Sequence, residues 1–113
     1  ERFRHVPARR AAWNALADRA LLSRSWGDCY GYLLVATGRA EAMVDAILSP
    51  WDAAAFLPII EEAGGVLTSW TGERTAFGGD AIASNAALAG TARRLLGAGA
   101  PVTTATEPLD ARP

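Results

Sequence analysis

A chain of 113 residues is enough for one domain and, if it folds alone, can bury about two thirds of its unfolded surface. Eleven basic against twelve acidic side chains give a net charge of −1, which offers neither a basic field for nucleic acid nor a polybasic membrane anchor, and the apolar runs are too short to span a bilayer. Cys29 is the only cysteine, so an intramolecular disulfide and a cysteine-based structural zinc site are excluded, and a reducing, cytoplasmic compartment fits best.

The first six residues hold Arg2, Arg4 and His5 without pattern, and His5, a lone histidine among arginines, is assigned no role. From Pro7 to Ala20 helix formers dominate, with Ala12, Trp13, Leu16 and Ala20 on one stripe, and the spacing predicts an amphipathic helix. Leu21 to Ser25 could form a short strand. Ser25 then precedes Asp28 by three residues, a cap-plus-carboxylate spacing, and a second helix is expected from Trp26 to about Thr37, stopped by Gly38, with Tyr30, Leu33, Leu34 and Thr37 inward. Cys29 in its first turn reads as a small buried residue.

Residues 40–46 alternate, with Ala40, Ala42, Val44 and Ala46 on one side and Glu41, Met43 and Asp45 on the other, which predicts a strand ending at a carboxylate. The central helix follows. Ser49 is a good N-cap, Pro50 suits the first helical position, Asp52 stands three residues after the cap, and Gly64-Gly65 supply a left-handed stop. Pro58 inside it removes one backbone bond and should bend it. On spacing alone Asp52 is a capping-box carboxylate.

Val66 to Trp70 reads as a second strand, Thr71-Gly72-Glu73 as a turn, Thr75 to Phe77 as a short returning strand and Ala81 to Ser84 as a buried one. Asn85 can cap a last helix over residues 86–96, with Leu88, Ala92, Leu95 and Leu96 inward and Arg93 and Arg94 outward. Residues 98–113 are Gly, Ala, Thr and Pro in low-complexity order and are expected to form a disordered tail behind an ordered region, 1–97. Helices alternating with short strands predict an α/β fold, a small mixed sheet with helices packed on it.

The wording Trp51-Asp52-Ala53-Ala54-Ala55, then apolar residues, then Glu62-Ala63-Gly64-Gly65 resembles the carboxy-terminal signature of the inositol-monophosphatase-like family of magnesium-dependent phosphatases. Gly78-Gly79 through Ala83-Ser84-Asn85 also fits, and Trp26-Gly27-Asp28-Cys29-Tyr30-Gly31-Tyr32 is similar to the histidinol-phosphatase branch. The resemblance implies the carboxy-terminal half of that family's layered sugar-phosphatase fold, with Asp52 a ligand of catalytic Mg²⁺. It also implies that Asp45, seven residues before Asp52, and Asp28 face the leaving group, where the ammonium and imidazole of histidinol phosphate could pair with them. Arg24 could approach the phosphate or pair with a nearby acid; Asp28 could merely cap its helix, and Asp45 could be a solvated strand-end carboxylate.

The family's remaining metal ligands come from a Glu-Glu segment and an Asp-Pro-x-Asp-Gly-Thr segment of its amino-terminal half; the latter is absent from residues 1–113, and Glu61-Glu62 belongs to the signature helix itself. The expected partners are therefore a small phosphate ester and an amino-terminal half of the same enzyme, with a homodimer open and no nucleic acid or membrane. The segment alone is expected to be inactive. The alternatives are an inositol-phosphatase-like enzyme for another small phosphate ester and a non-catalytic module that retains the fold.

Overall fold

The computed structural model describes residues 7–25 and 29–97, with side chains from Arg9 onward. Its elements in chain order are α1 (Pro7–Arg19), α2 (Tyr30–Ala36), β1 (Ala42–Asp45), α3 (Pro50–Glu62), β2 (Val66–Thr68), β3 (Ala81–Ser84) and α4 (Ala89–Leu95). The strands form one sheet in the order β1-β3-β2. The expected small sheet with helices packed on it is present, and both of its described pairings are antiparallel. Among the described residues no helix is long and apolar enough to cross a membrane.

Register divides the side chains between two faces. Met43 lies opposite Ala83, which lies opposite Leu67, and Asp45 lies opposite Ala81; these point to one face. Val44, Ile82 and Thr68 are aligned on the other, as are Ala42, Ser84 and Val66. On the first face Leu67, Ala81 and Ala83 join Tyr32, Val35, Ala53 and Ile60 in a core covered by α2 and α3. On the second, Val44 and Ile82 pack with Trp70 and Leu96, and Ala12, Trp13 and Leu16 of α1 close over them.

Two glycines set how closely α2 and α3 approach the sheet. A Cβ on Gly31 would stand 2.2 Å from the sulfur of Met43, so its absence lets that side chain lie against α2. At the end of α3, Gly64 takes φ 88° and the N–H groups of Gly64 and Gly65 bind the carbonyls of Glu61 and Ile60, a Schellman ending. Gly65 is not left-handed as expected. It is small because a Cβ there would meet the carbonyl oxygen of Ser84 at 2.8 Å.

Helix α3 runs unbroken through Pro58. Pro58 and Ala54 are both exposed, so the carbonyl that loses its partner faces water. Arg74 secures the carboxy-terminal end of this helix: its Nη2 donates to Glu61 Oε1 at 2.6 Å and its Nε to the other carboxylate oxygen.

Several expectations are corrected. Residues 21–25 and 75–77 form no strand; Leu21 and Leu22 are exposed, leaving no core to favour pairing. In α2 the inward residues are Gly31, Tyr32 and Val35, while Tyr30, Leu33 and Thr37 are exposed. Cys29 is exposed rather than buried, and Ala20 and Leu88 face solvent. The largest reversal is Arg93, expected outward, which is 1% exposed. All five of its N–H groups are satisfied. Nε donates to Thr68 Oγ1 at 2.8 Å, Nη1 to Ser84 Oγ and the Ala89 carbonyl at 3.0 Å each, and Nη2 to the carbonyls of Ile82 at 2.8 Å and Val66 at 3.3 Å. Residues 26–28, where the second helix is expected to start and where Asp28 falls, lie outside the described residues, as do His5 and residues 98–113.

Candidate functional site

Two of the residues singled out for chemistry, Asp45 and Asp52, flank the connection from β1 to α3. Asp45 is the last residue of β1, and register turns its side chain to the face covered by α2 and α3. Ala81 opposite it is fully buried and small, so the carboxylate has no bulky cross-strand neighbour. Tyr32 Oη donates to Asp45 Oδ2 at 2.7 Å. The Tyr32 ring, 1% exposed, stacks on Phe56 with centroids 4.1 Å apart and planes 13° from parallel. Phe56 follows Asp52 by four residues on α3, one turn along the same side. The stacked pair therefore connects the carboxylate at the strand end to the helix that begins with Asp52.

Asp52 sits at the third position of α3 and is exposed. The capping box that its spacing suggested is not formed. Ser49 has extended backbone angles, φ −73° and ψ 146°, yet its hydroxyl makes no capping bond. The reason is local: Pro50 has no N–H, and the N–H groups of Asp52 and Ala53 both bind the Ser49 carbonyl, at 3.1 and 3.0 Å. Little demand remains for a side-chain cap. Among the described residues the Asp52 carboxylate has no hydrogen-bond partner, so its oxygens remain available beside the positive end of a 13-residue helix.

The connection from Asp45 to Asp52 is held by its backbone. Trp70 Nε1 donates to the Asp45 carbonyl at 2.9 Å, Arg9 Nη1 to the Ala46 carbonyl at 2.9 Å, and the Leu48 N–H to the Gly79 carbonyl at 2.8 Å. Arg9 also pairs with buried Asp80 at 2.7 Å and lies over the Trp70 ring, 4.8 Å from its centroid. Asp80 in turn accepts from the Trp70 N–H at 2.8 Å. This Arg9–Asp80–Trp70 assembly escaped sequence reasoning. A charged residue on the first helix and an aspartate after a glycine pair carry no spacing signal, because their partners are 37 and 10 residues away.

Arg24 is exposed and its Nη1 donates to the neighbouring Ser23 carbonyl at 2.8 Å, so the structure joins it to no acid among the described residues. Asp28 lies outside them. A surface depression of about 310 Å³ is found elsewhere, between the carboxy-terminal ends of α2 and α3, lined by Val35, Thr37, Ile60 and Asn85 among others. No charged side chain lines it, and roughly 15 Å of helix separates that end of α3 from Asp52. It is not the place for a phosphate or a cation.

A hard divalent cation takes six or more oxygen ligands, several of which can be water. Asp52 is chemically suited to supply one. Among the described residues no three acidic, histidine or cysteine side chains converge to hold a metal, so this region can contribute to such a centre and cannot complete it.

The sequence profile of the inositol monophosphatase family matches residues 4–104. A histidinol-phosphatase of Chlorobaculum parvum is 54% identical over 63 residues, 56% of this chain and 24% of that protein. A chloroplastic bifunctional phosphatase of Arabidopsis thaliana is 38% identical over 63 residues, 56% of this chain and 18% of that protein. A histidinol-phosphatase of Mycobacterium tuberculosis is 38% identical over 82 residues, 73% of this chain and 32% of that protein. The matched stretches thus span a third or less of these relatives.

Proposed function

Because this chain belongs to the inositol monophosphatase family, whose members are generally metal-dependent, we propose that it is the carboxy-terminal part of a Mg²⁺-dependent phosphomonoesterase acting on histidinol phosphate, a cytoplasmic enzyme of histidine biosynthesis. The observation that carries this reading is an acidic pair of different character at one end of the fold. Asp52 is an exposed oxygen donor that its own helix does not consume, and Asp45 is a carboxylate fixed from within by Tyr32. The names of two relatives, both histidinol-phosphatases, support the choice of substrate.

In this reading Asp52 is one ligand of the Mg²⁺. The ion, when bound, would supply Lewis-acid stabilisation of the phosphate oxygens and of the departing alkoxide. Asp45 receives the cationic amino alcohol, pairing its carboxylate with the ammonium group, and Asp28 adds a second acid to the same end of the substrate. Arg24 approaches the phosphate from the segment before α2. The water-activating groups and the other metal ligands come from the longer part of the enzyme that the matched stretch does not cover.

In the full-length enzyme, Asp45→Asn should raise KM for histidinol phosphate at least about tenfold, and change KM for the phosphate ester of a neutral alcohol much less. Equal effects on both would count against the ammonium contact. The family match also admits a second reading, a neutral alcohol phosphate as the natural substrate, and the same panel decides it. The purified 113-residue chain should hydrolyse neither ester at millimolar Mg²⁺. Turnover by it, abolished in Asp52→Asn, would overturn the dependence on the rest of the enzyme.

A further inference from the structure

We infer that Tyr32 is a positioning residue for substrate discrimination: its hydroxyl fixes the rotamer of Asp45, and its ring ties that carboxylate to the helix carrying Asp52. This rests on the proposed role of Asp45 and goes beyond it by naming the device that sets the distance between the substrate's cationic end and its phosphate.

The geometry separates the two jobs of the Tyr32 side chain. Its ring is buried and stacked on Phe56, so it cannot move without breaking that contact. Its hydroxyl, at the far end of that rigid plate, donates to Asp45 Oδ2. Asp45 Oδ1 has no partner among the described residues, and Asp45 is half-buried. One oxygen is thus held by the protein and the other is left for a ligand. An aspartate has two rotatable side-chain bonds, and a short donated bond to one oxygen removes that freedom before the substrate arrives, which lowers the ordering cost of binding. The backbone of Asp45 is already fixed by register with Ala81 and by the bond from Trp70 Nε1 to its carbonyl, so the Tyr32 hydroxyl acts on the remaining freedom.

Here a fully buried tyrosine spends its hydroxyl on a carboxylate at the rim. The stacking partner also matters: Phe56 and Asp52 share one side of α3, so any displacement of the helix start shifts Tyr32 and Asp45 with it. Selection at Asp45 and chemistry at Asp52 are then coupled through a ring stack.

The experiment compares three variants of the full-length enzyme on histidinol phosphate and on a neutral-alcohol phosphate ester, with thermal melting as a check on folding. Asp45→Asn establishes whether the carboxylate discriminates. Tyr32→Phe keeps the ring and stack and removes the hydroxyl alone. The expected result is a rise of about tenfold in KM for histidinol phosphate, kcat within about twofold, and little change in KM for the neutral ester. Phe56→Leu loosens the plate and should shift the same ratio in the same direction by less. Discrimination lost in Asp45→Asn and unchanged in Tyr32→Phe would overturn the positioning role and leave the proposed substrate standing. An equal fall in kcat on both esters in Tyr32→Phe would also overturn it. Discrimination unchanged in Asp45→Asn would remove the proposed substrate contact and this inference together.

Discussion

The two faces of the sheet are built from the same three strands and serve different ends. On the face toward α1 and α4 the inward residues are Ala42, Val44, Val66, Thr68, Ile82 and Ser84, and the polar ones among them are consumed by Arg93. On the face toward α2 and α3 they are Met43, Asp45, Leu67, Ala81 and Ala83, and the polar one keeps an oxygen in reserve. One face uses its sheet hydroxyls internally. The other ends in two carboxylates and carries exposed Tyr30, Leu33, Trp51 and Ile59 on its helices. Because strand side chains alternate, Val44 can be committed to packing on one face while its neighbour Asp45, the proposed substrate contact, faces the other.

The largest effect that would sharpen this contrast is on the closed face. Arg93→Leu leaves two hydroxyls and three carbonyls without their donor in a dry interior, and urea unfolding should show a loss of about 3–5 kcal/mol. Burial pulls the Arg93 guanidinium down to about 10, well below its ordinary value. Above pH 10 the unfolded chain therefore binds more protons and the contribution to stability rises with pH; between pH 6 and 9 the group is charged in both states, so the Leu penalty should be flat there. A penalty under about 1 kcal/mol would show that the face does not depend on this cation.

A smaller loss is expected where α3 meets β3. Gly65→Ala drives a methyl group into the Ser84 carbonyl, a backbone atom that cannot swing away, and should cost about 1–3 kcal/mol in the same measurement. Smaller again is Arg9→Met, which keeps an unbranched apolar stem but gives up the guanidinium over the Trp70 ring, the Asp80 ion pair and the bond to the Ala46 carbonyl. About 1–2 kcal/mol should be lost. If the connection between Asp45 and Asp52 depends on that clamp, the full-length Arg9→Met enzyme should also show a raised KM; a stability loss with unchanged kinetics would separate the clamp from the site.

Much of this was legible in the sequence. The alternation before Asp45 and the Ser49-Pro50 start of α3 gave their elements to within a few residues, whereas the last helix starts at Ala89, later than expected, with Leu88 at its N-cap, and Asn85 instead closes the turn before it, accepting from the Leu88 N–H at 2.8 Å. What could not be read was orientation. Helix α2, Tyr-Gly-Tyr-Leu-Leu-Val-Ala, is apolar on every side, so periodicity cannot tell which tyrosine faces the sheet. Arg93 was misplaced because its charge outweighed its position, although Ala89, Ala92, Arg93 and Leu96 form a clean inward stripe and the hydroxyls of Thr68 and Ser84 in uncharged strands were the matching signal. At the site, Asp45 and Asp52 could be named only through the family resemblance, because spacing alone reads Asp52 as a helix cap. Their connection through Tyr32 and Phe56 depends on two helices meeting, which local pattern does not encode.

The central claim is that the Asp52 carboxylate is reserved for a cation and does not serve its own helix. It is tested most directly by Asp52→Asn in the full-length enzyme, melted with and without Mg²⁺ and assayed on histidinol phosphate. The account predicts that metal-free stability falls by no more than about 1 kcal/mol, that the Mg²⁺-induced rise in Tm disappears, and that hydrolysis falls by at least about 10³-fold. A variant that keeps its hydrolysis and its Mg²⁺ response while losing metal-free stability would contradict it.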